Sequence, residues 1–178
     1  MNNIFNQPLQ NFANWNARNG LIILRWSLGI IFLWFGFIKY FPGESKAEEI
    51  ATKTITWLTF GKITPHIAMA VLGSLECMIG VGFILHKWMP FTLFLLYFQM
   101  IGACLPLFIF RDETWTNTFF VPTLLGQYII KNCVLISAGI VMGATIKGGA
   151  LVANPKVKKL FNENEMSIKE NTANIYNQ

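Results

Sequence analysis

Apolar residues along this chain gather into four long runs parted by shorter polar stretches. The runs are Leu21–Tyr40, Pro65–His86, Pro90–Phe110 and Thr123–Ile146. Each is close to the ~20 residues a helix needs to cross ~30 Å of hydrocarbon. Within a run the apolar positions cover most sides of a helix, where a soluble helix shows one stripe. Strands do not fit, because a barrel needs ~10-residue segments of alternating polarity. The pattern predicts an all-α fold, an integral membrane four-transmembrane-helix bundle.

The polar stretches carry shorter signals. In the leader, residues 1–20, Phe5, Leu9, Phe12 and Trp15 recur at helical spacing. Two readings stay open there: a short helix lying on the membrane surface, or a disordered polar terminus. A cleaved signal peptide is not expected, since its apolar core would be ~7–15 residues and would follow a short basic leader. Between the first two runs, Ser45 and Glu48 have capping-box spacing. Ala47, Ile50, Ala51, Trp57 and Leu58 then share a stripe, broken by Thr54 and stopped at Gly61. This predicts an outer amphipathic helix over Ser45–Phe60. The stretch Arg111–Pro122 holds Trp115, Phe119 and Phe120, residues suited to an interfacial belt. Residues 21–149 form the expected membrane domain. Residues 150–178, polar and asparagine-rich beyond Ala153, are expected to be a flexible cytoplasmic tail.

Composition supports the membrane reading: 53% of the 178 residues are hydrophobic and only 13% charged, against about 25% charged in soluble domains. Charge placement gives an orientation. With the N-terminus inside, the inner segments hold Arg18, Lys87, Lys147, Lys156, Lys158, Lys159 and Lys169. The outer segments hold Lys46, Lys53, Lys62 and Arg111 beside five acids, Glu44, Glu48, Glu49, Asp112 and Glu113. Basic residues collect on the cytoplasmic side, so both termini are placed in the cytoplasm. The net charge of +5 is then topology, and no aromatic-interleaved basic patch points to nucleic acid.

The candidate chemistry lies inside the runs. Arg25 and Lys39 are fourteen positions apart, ~21 Å of helix and about 40° short of four turns. Gly29, Phe32 and Gly36 lie between them on that face, so the charged face is also a close-packing face. The second run repeats this with Gly73, Glu76 and Gly80 on one stripe and Cys77 beside it. The third supplies Gln99 and an expected kink at Pro106. The fourth has Gln127, Lys131 and Asn132 within PTLLGQYIIKN, then Gly139 and Gly143 as a packing pair. A mid-span glutamate pairs or faces a cavity. The expected arrangement has Arg25 reaching Glu76 directly or through Gln99 or water. Lys39, Gln127, Lys131 and Asn132 are expected to line a ligand or anion pocket toward the outer side. The bland alternatives are that the two cations snorkel to the interfaces and that an Arg25–Glu76 pair merely fixes helix register. Unless Lys39 pairs with Glu44, Glu48 or Glu49, the three cations Arg25, Lys39 and Lys131 against one intramembrane acid leave surplus charge, which calls for a lipid phosphate, an anionic substrate or a polarised quinone oxygen.

Other chemistries find little support. Cys77, Cys104 and Cys133 sit on three different runs without a Cys-x-x-Cys pair, so they read as small buried hydrophobes. His66 and His86 lie at opposite ends of one run, ~30 Å apart, and no metal-ligand spacing occurs. Phosphate-binding glycine loops and nucleophile elbows are missing too.

The pattern Arg25, Gly29, Phe32, Gly36, Lys39, the stripe Gly73-x-x-Glu76-x-x-x-Gly80 and the run Gly126-Gln127-Tyr128-Ile129-Ile130-Lys131-Asn132 together resemble the DoxX family of small four-helix bacterial membrane proteins. The resemblance covers roughly Leu21–Gly149. It implies a bacterial inner-membrane bundle, often an accessory subunit of a quinone- or thiol-linked redox system, with quinone as the implied cofactor. Isolated cysteines fit the thiol branch poorly. Beside this stand two other classes: a structural or docking membrane protein, and a small proton- or ion-coupled carrier. Membrane lipids and either a protein partner or a second copy of the chain are the expected partners.

Overall fold

All four apolar runs are helical in the computed structural model, which describes residues 3–41, 43, 48–118, 120–149, 151 and 166. The chain divides into two units, Met1–Ile146 and Lys147–Gln178. The first holds every helix discussed below; the tail expected over 150–178 lies outside the described residues apart from Leu151 and Met166. Four helical stretches are long and apolar enough to cross a membrane: Pro8–Ile38, Pro65–Leu85, Met89–Ile109 and Leu124–Ala144.

The first helix, α1, runs unbroken from Asn3 to Ile38. From Asn3 onward the leader is helical and continuous with the first apolar run. Pro8, in the second turn, removes one bond without ending the helix, and no stop follows it before the apolar run. Gly20 alone costs a helix ~1 kcal/mol relative to alanine, too little to end it. Thirty-six residues make ~54 Å of helix, well beyond a ~30 Å hydrocarbon core, and Leu9, Phe12 and Trp15 stand exposed along the extension.

A second helix, α2 (Glu48–Leu58), follows. The expected cap Ser45 lies outside the described residues, and the Glu48 carboxylate accepts instead from the Gly43 N–H at 2.8 Å. The apolar stripe is also shifted. Thr54, expected to break it, is buried with Ile50, whereas Trp57 and Leu58 are exposed. Burial is tolerable because the Thr54 hydroxyl donates to the Ile50 carbonyl at 2.6 Å. Phe60 and Gly61 at φ +52° and +75° end the helix. Lys53 ties α2 to the 111–114 turn through Glu113 at 3.1 Å and to its own helix through Glu49 at 3.0 Å. The Glu49 carboxylate, and then that of Glu113, holds the exposed Lys53 ammonium above its ordinary range.

Helix α3 (Pro65–Leu85) opens with proline at its first position and closes in left-handed His86, and Trp88 then starts α4 (Met89–Cys104). Leu105 interrupts that span before α5 (Pro106–Ile109), where a proline nitrogen cannot continue the bond ladder. A one-turn helix, α6 (Arg111–Thr114), and a Trp115–Pro122 bridge form the next turn. The last span is α7 (Leu124–Ile130) and α8 (Asn132–Ala144), joined at helical Lys131.

Helix α1 packs against α3, α3 against α4, and α4 against α8. Glycines set the first of these contacts. A Cβ on Gly36 would stand 2.8 Å from the Gly73 carbonyl oxygen, and one on Gly80 would stand 2.8 Å from that of Gly29. Gly36 thus faces Gly73 and Gly29 faces Gly80, an antiparallel register with backbones in direct contact. Gly139 lets α8 approach Leu96 to within 2.7 Å of its missing Cβ, while Gly143 has only ordinary contacts, the nearest at 3.4 Å. Phe32, Ile79, Phe83 and Leu96 fill the core, and large apolar side chains such as Trp34, Phe94 and Phe98 face outward. An exterior as apolar as the interior is what a lipid solvent favours.

Candidate functional site

Helix direction explains how a polar cluster forms in this core. Side chains on a helix lean toward its N-terminus. Lys39, one residue past the end of α1, therefore leans back into the bundle, and its ammonium reaches the Phe35 carbonyl at 3.4 Å. On antiparallel α3, Glu76 leans the opposite way, toward Lys39. The two meet with Lys39 Nζ donating to Glu76 Oε2 at 2.6 Å. From α4, Gln99 Nε2 donates to Glu76 Oε1, also at 2.6 Å. All three residues are at most 9% exposed. Close approach is possible because Gly36 and Gly73 sit beside the pair, with Lys39 Cβ 3.2 Å from the missing Gly73 Cβ.

Chemically the cluster is nearly closed. The carboxylate takes a strong donor on each oxygen, and the ammonium has a carboxylate and a carbonyl. One atom is left over: Gln99 Oε1 is buried and accepts no hydrogen bond. A buried carbonyl in that state costs ~1–3 kcal/mol, so an O–H or N–H donor reaching it would be stabilised.

Arg25 is not the partner of Glu76, which corrects the expected pairing. Its Nε is buried without a hydrogen-bond partner, and both Glu76 oxygens are occupied. With Gly29 opposite Gly80, Arg25 lies level with residue 84, about eight residues or ~12 Å along α3 from Glu76. Its side chain also leans away, toward the start of α1.

Nor does the expected pocket assemble. Lys39 is committed to Glu76. Lys131 is exposed, with its ammonium 3.9 Å from the centroid of the Tyr128 ring. Gln127 is exposed and donates to the Pro122 carbonyl at 3.4 Å, while Asn132 is half-buried. Lysine at the α7–α8 junction is far enough along its own helix face to prefer a neighbouring ring to the bundle interior.

Lys39 is the carboxylate's partner, a pairing that the periodicity of a single helix does not reveal. Its signal was present in the spacing of seven shared by Gly29 and Gly36 and by Gly73 and Gly80. Pairing them antiparallel fixes the register and brings Lys39 nearer Glu76 than Arg25. The cysteines are also less isolated than expected. The α4–α8 register set by Gly139 against Leu96 and Gly143 against Leu93 puts Cys104 about level with Cys133. Both are free thiols, as is Cys77.

Compared with known proteins, the chain matches no family model, no curated protein and no solved structure.

Proposed function

We propose that this chain is a multi-pass bacterial inner-membrane protein of the DoxX type, an accessory subunit of a redox system that presents an intramembrane polar site to quinone. Both termini and the α3–α4 turn lie on the cytoplasmic side in this reading, with α2 and the 111–122 turn outside. The observation that carries the redox reading is the unpaired Gln99 carbonyl beside the Lys39–Glu76 pair. A quinol hydroxyl is a donor that such an acceptor would take, in a setting already rich in hydrogen bonds. The chain's own residues would orient the head group; electrons would pass through the partner.

Purification in mild detergent, followed by extraction and chromatography of bound quinone, tests this. Quinone should accompany the wild-type protein and be lost from Gln99→Leu while the helical content stays unchanged. The closed geometry of the pair favours a second reading, a docking protein without chemistry. That reading gains if a protein partner is retained equally by wild type and Gln99→Leu and no quinone is found with either.

A further inference from the structure

Arg25 has no hydrogen bond or ion pair among the described residues, and its Nε is buried. A guanidinium at the edge of hydrocarbon pairs with another group. The described residues supply no acid at this end. The described acids other than Glu76 are Glu48 and Glu49 on α2 and Asp112 and Glu113 on α6, all at the opposite end. The end toward which Arg25 leans instead carries Arg18, seven residues earlier on the same helical line, and exposed His86 and Lys87 in the α3–α4 turn.

We propose that Arg25 binds the phosphate of an anionic phospholipid in the leaflet at the α3–α4 end, with Arg18 and Lys87 as supporting cations. The guanidinium fork suits a phosphodiester. Arg25 lies ~10 Å further along the helix than Arg18, flanked by Ile22 and Trp26, which are 51% and 44% exposed. A ligand there meets apolar side chains beside its charge, as a lipid with acyl chains does and free phosphate does not. Basic recesses between spans are used this way in other membrane proteins. The inference rests on the membrane reading above, but not on quinone.

Native mass spectrometry of the full chain from neutral detergent tests it, with phosphatidylglycerol and phosphatidylcholine offered together and inorganic phosphate in a separate arm. Wild type should retain phosphatidylglycerol preferentially. Arg25→Gln should lose about tenfold of that preference, the scale of one charge-assisted hydrogen bond, and Arg25→Lys should lose less. Arg111→Gln, at the other end, should change nothing. Melting of Arg25→Gln in phosphatidylcholine, unchanged from wild type, shows that the loss is not unfolding. Equal retention of the two lipids by wild type, or full preference in Arg25→Gln, overturns the proposal. So does inorganic phosphate displacing phosphatidylglycerol at stoichiometric amounts, which marks a free-anion site. A gain in phosphatidylglycerol binding on neutralising Glu163, Glu165 and Glu170 together overturns it as well, since a tail carboxylate would then be the resident counter-ion. A chain that stays soluble without detergent refutes the membrane reading itself.

Discussion

Removing either half of the Lys39–Glu76 pair should destabilise the bundle, but by unequal amounts. In Lys39→Met the Glu76 carboxylate keeps only the Gln99 amide. It sits on the twelfth residue of the 21-residue α3 and cannot reach either end of that helix. Stranding a buried charge costs ~3–5 kcal/mol. In Glu76→Gln the stranded group is Lys39, one residue beyond the end of α1, whose four-carbon stem can swing out to the interface. The loss is then nearer that of one charged hydrogen bond, ~1.5–3 kcal/mol. The double variant removes both charges and leaves amide beside amide, so it should recover at least ~2 kcal/mol of the summed losses. Arg25→Met should be additive with Glu76→Gln within ~0.5 kcal/mol, as distant sites are. Unfolding titrations in mixed micelles measure the wild type and all five variants. Equal costs for the two single variants, or a double variant as unstable as the sum, would refute the geometry; coupling between Arg25 and Glu76 would restore the pairing that the structure rejects.

Gly36→Ala should cost ~1–3 kcal/mol by overpacking, because the new methyl meets Gly73 O at 2.8 Å and Cys77 N at 2.9 Å, both backbone atoms. Gly20→Ala, with nothing within 4 Å of the new carbon, should instead raise the melting temperature slightly through helix propensity, and calorimetry in detergent distinguishes the two. The clip between Lys53 and Glu113 has its own pH signature. Because the folded Lys53 value is raised by Glu49 and Glu113, the clip's contribution is complete below the ordinary lysine value and is lost as pH rises through the folded one. Spin labels on α2 and α6 should hold a fixed separation from pH 7 to about 10 and spread only above that; spreading at neutral pH would dismiss the clip. A cysteine placed at Lys87 should react only with reagent supplied from the cytoplasmic side, and labelling from outside would reverse the orientation.

The four long apolar helices and the break at Pro106 are legible because each helix is a long apolar run and proline removes a backbone donor. The polar site was legible in membership more than in pairing. Glu76, Gln99 and Lys39 all stand out as polar residues in apolar runs, yet which cation meets the carboxylate depends on helix register and on the lean of side chains toward the N-terminus. Counting turns from Arg25 to Lys39 says nothing of that direction. Thr54 was misread because its hydroxyl bonds to its own helix and so buries cheaply. The union of leader and first span escaped notice because polar residues do not stop a helix unless a turn residue does.

The inward turn of Lys39 onto Glu76 is the point on which the site depends. Solid-state NMR of the protein in lipid bilayers, with nitrogen-15 at lysine Nζ and carbon-13 at glutamate Cδ, measures it directly. Strong dephasing between Lys39 and Glu76, as a 2.6 Å Nζ–Oε2 contact requires of the adjoining Cδ, and persisting in bilayers of neutral lipid, is the expected result. A mobile Lys39 ammonium without dephasing, together with a contact from the Arg25 guanidinium to Glu76, would contradict it.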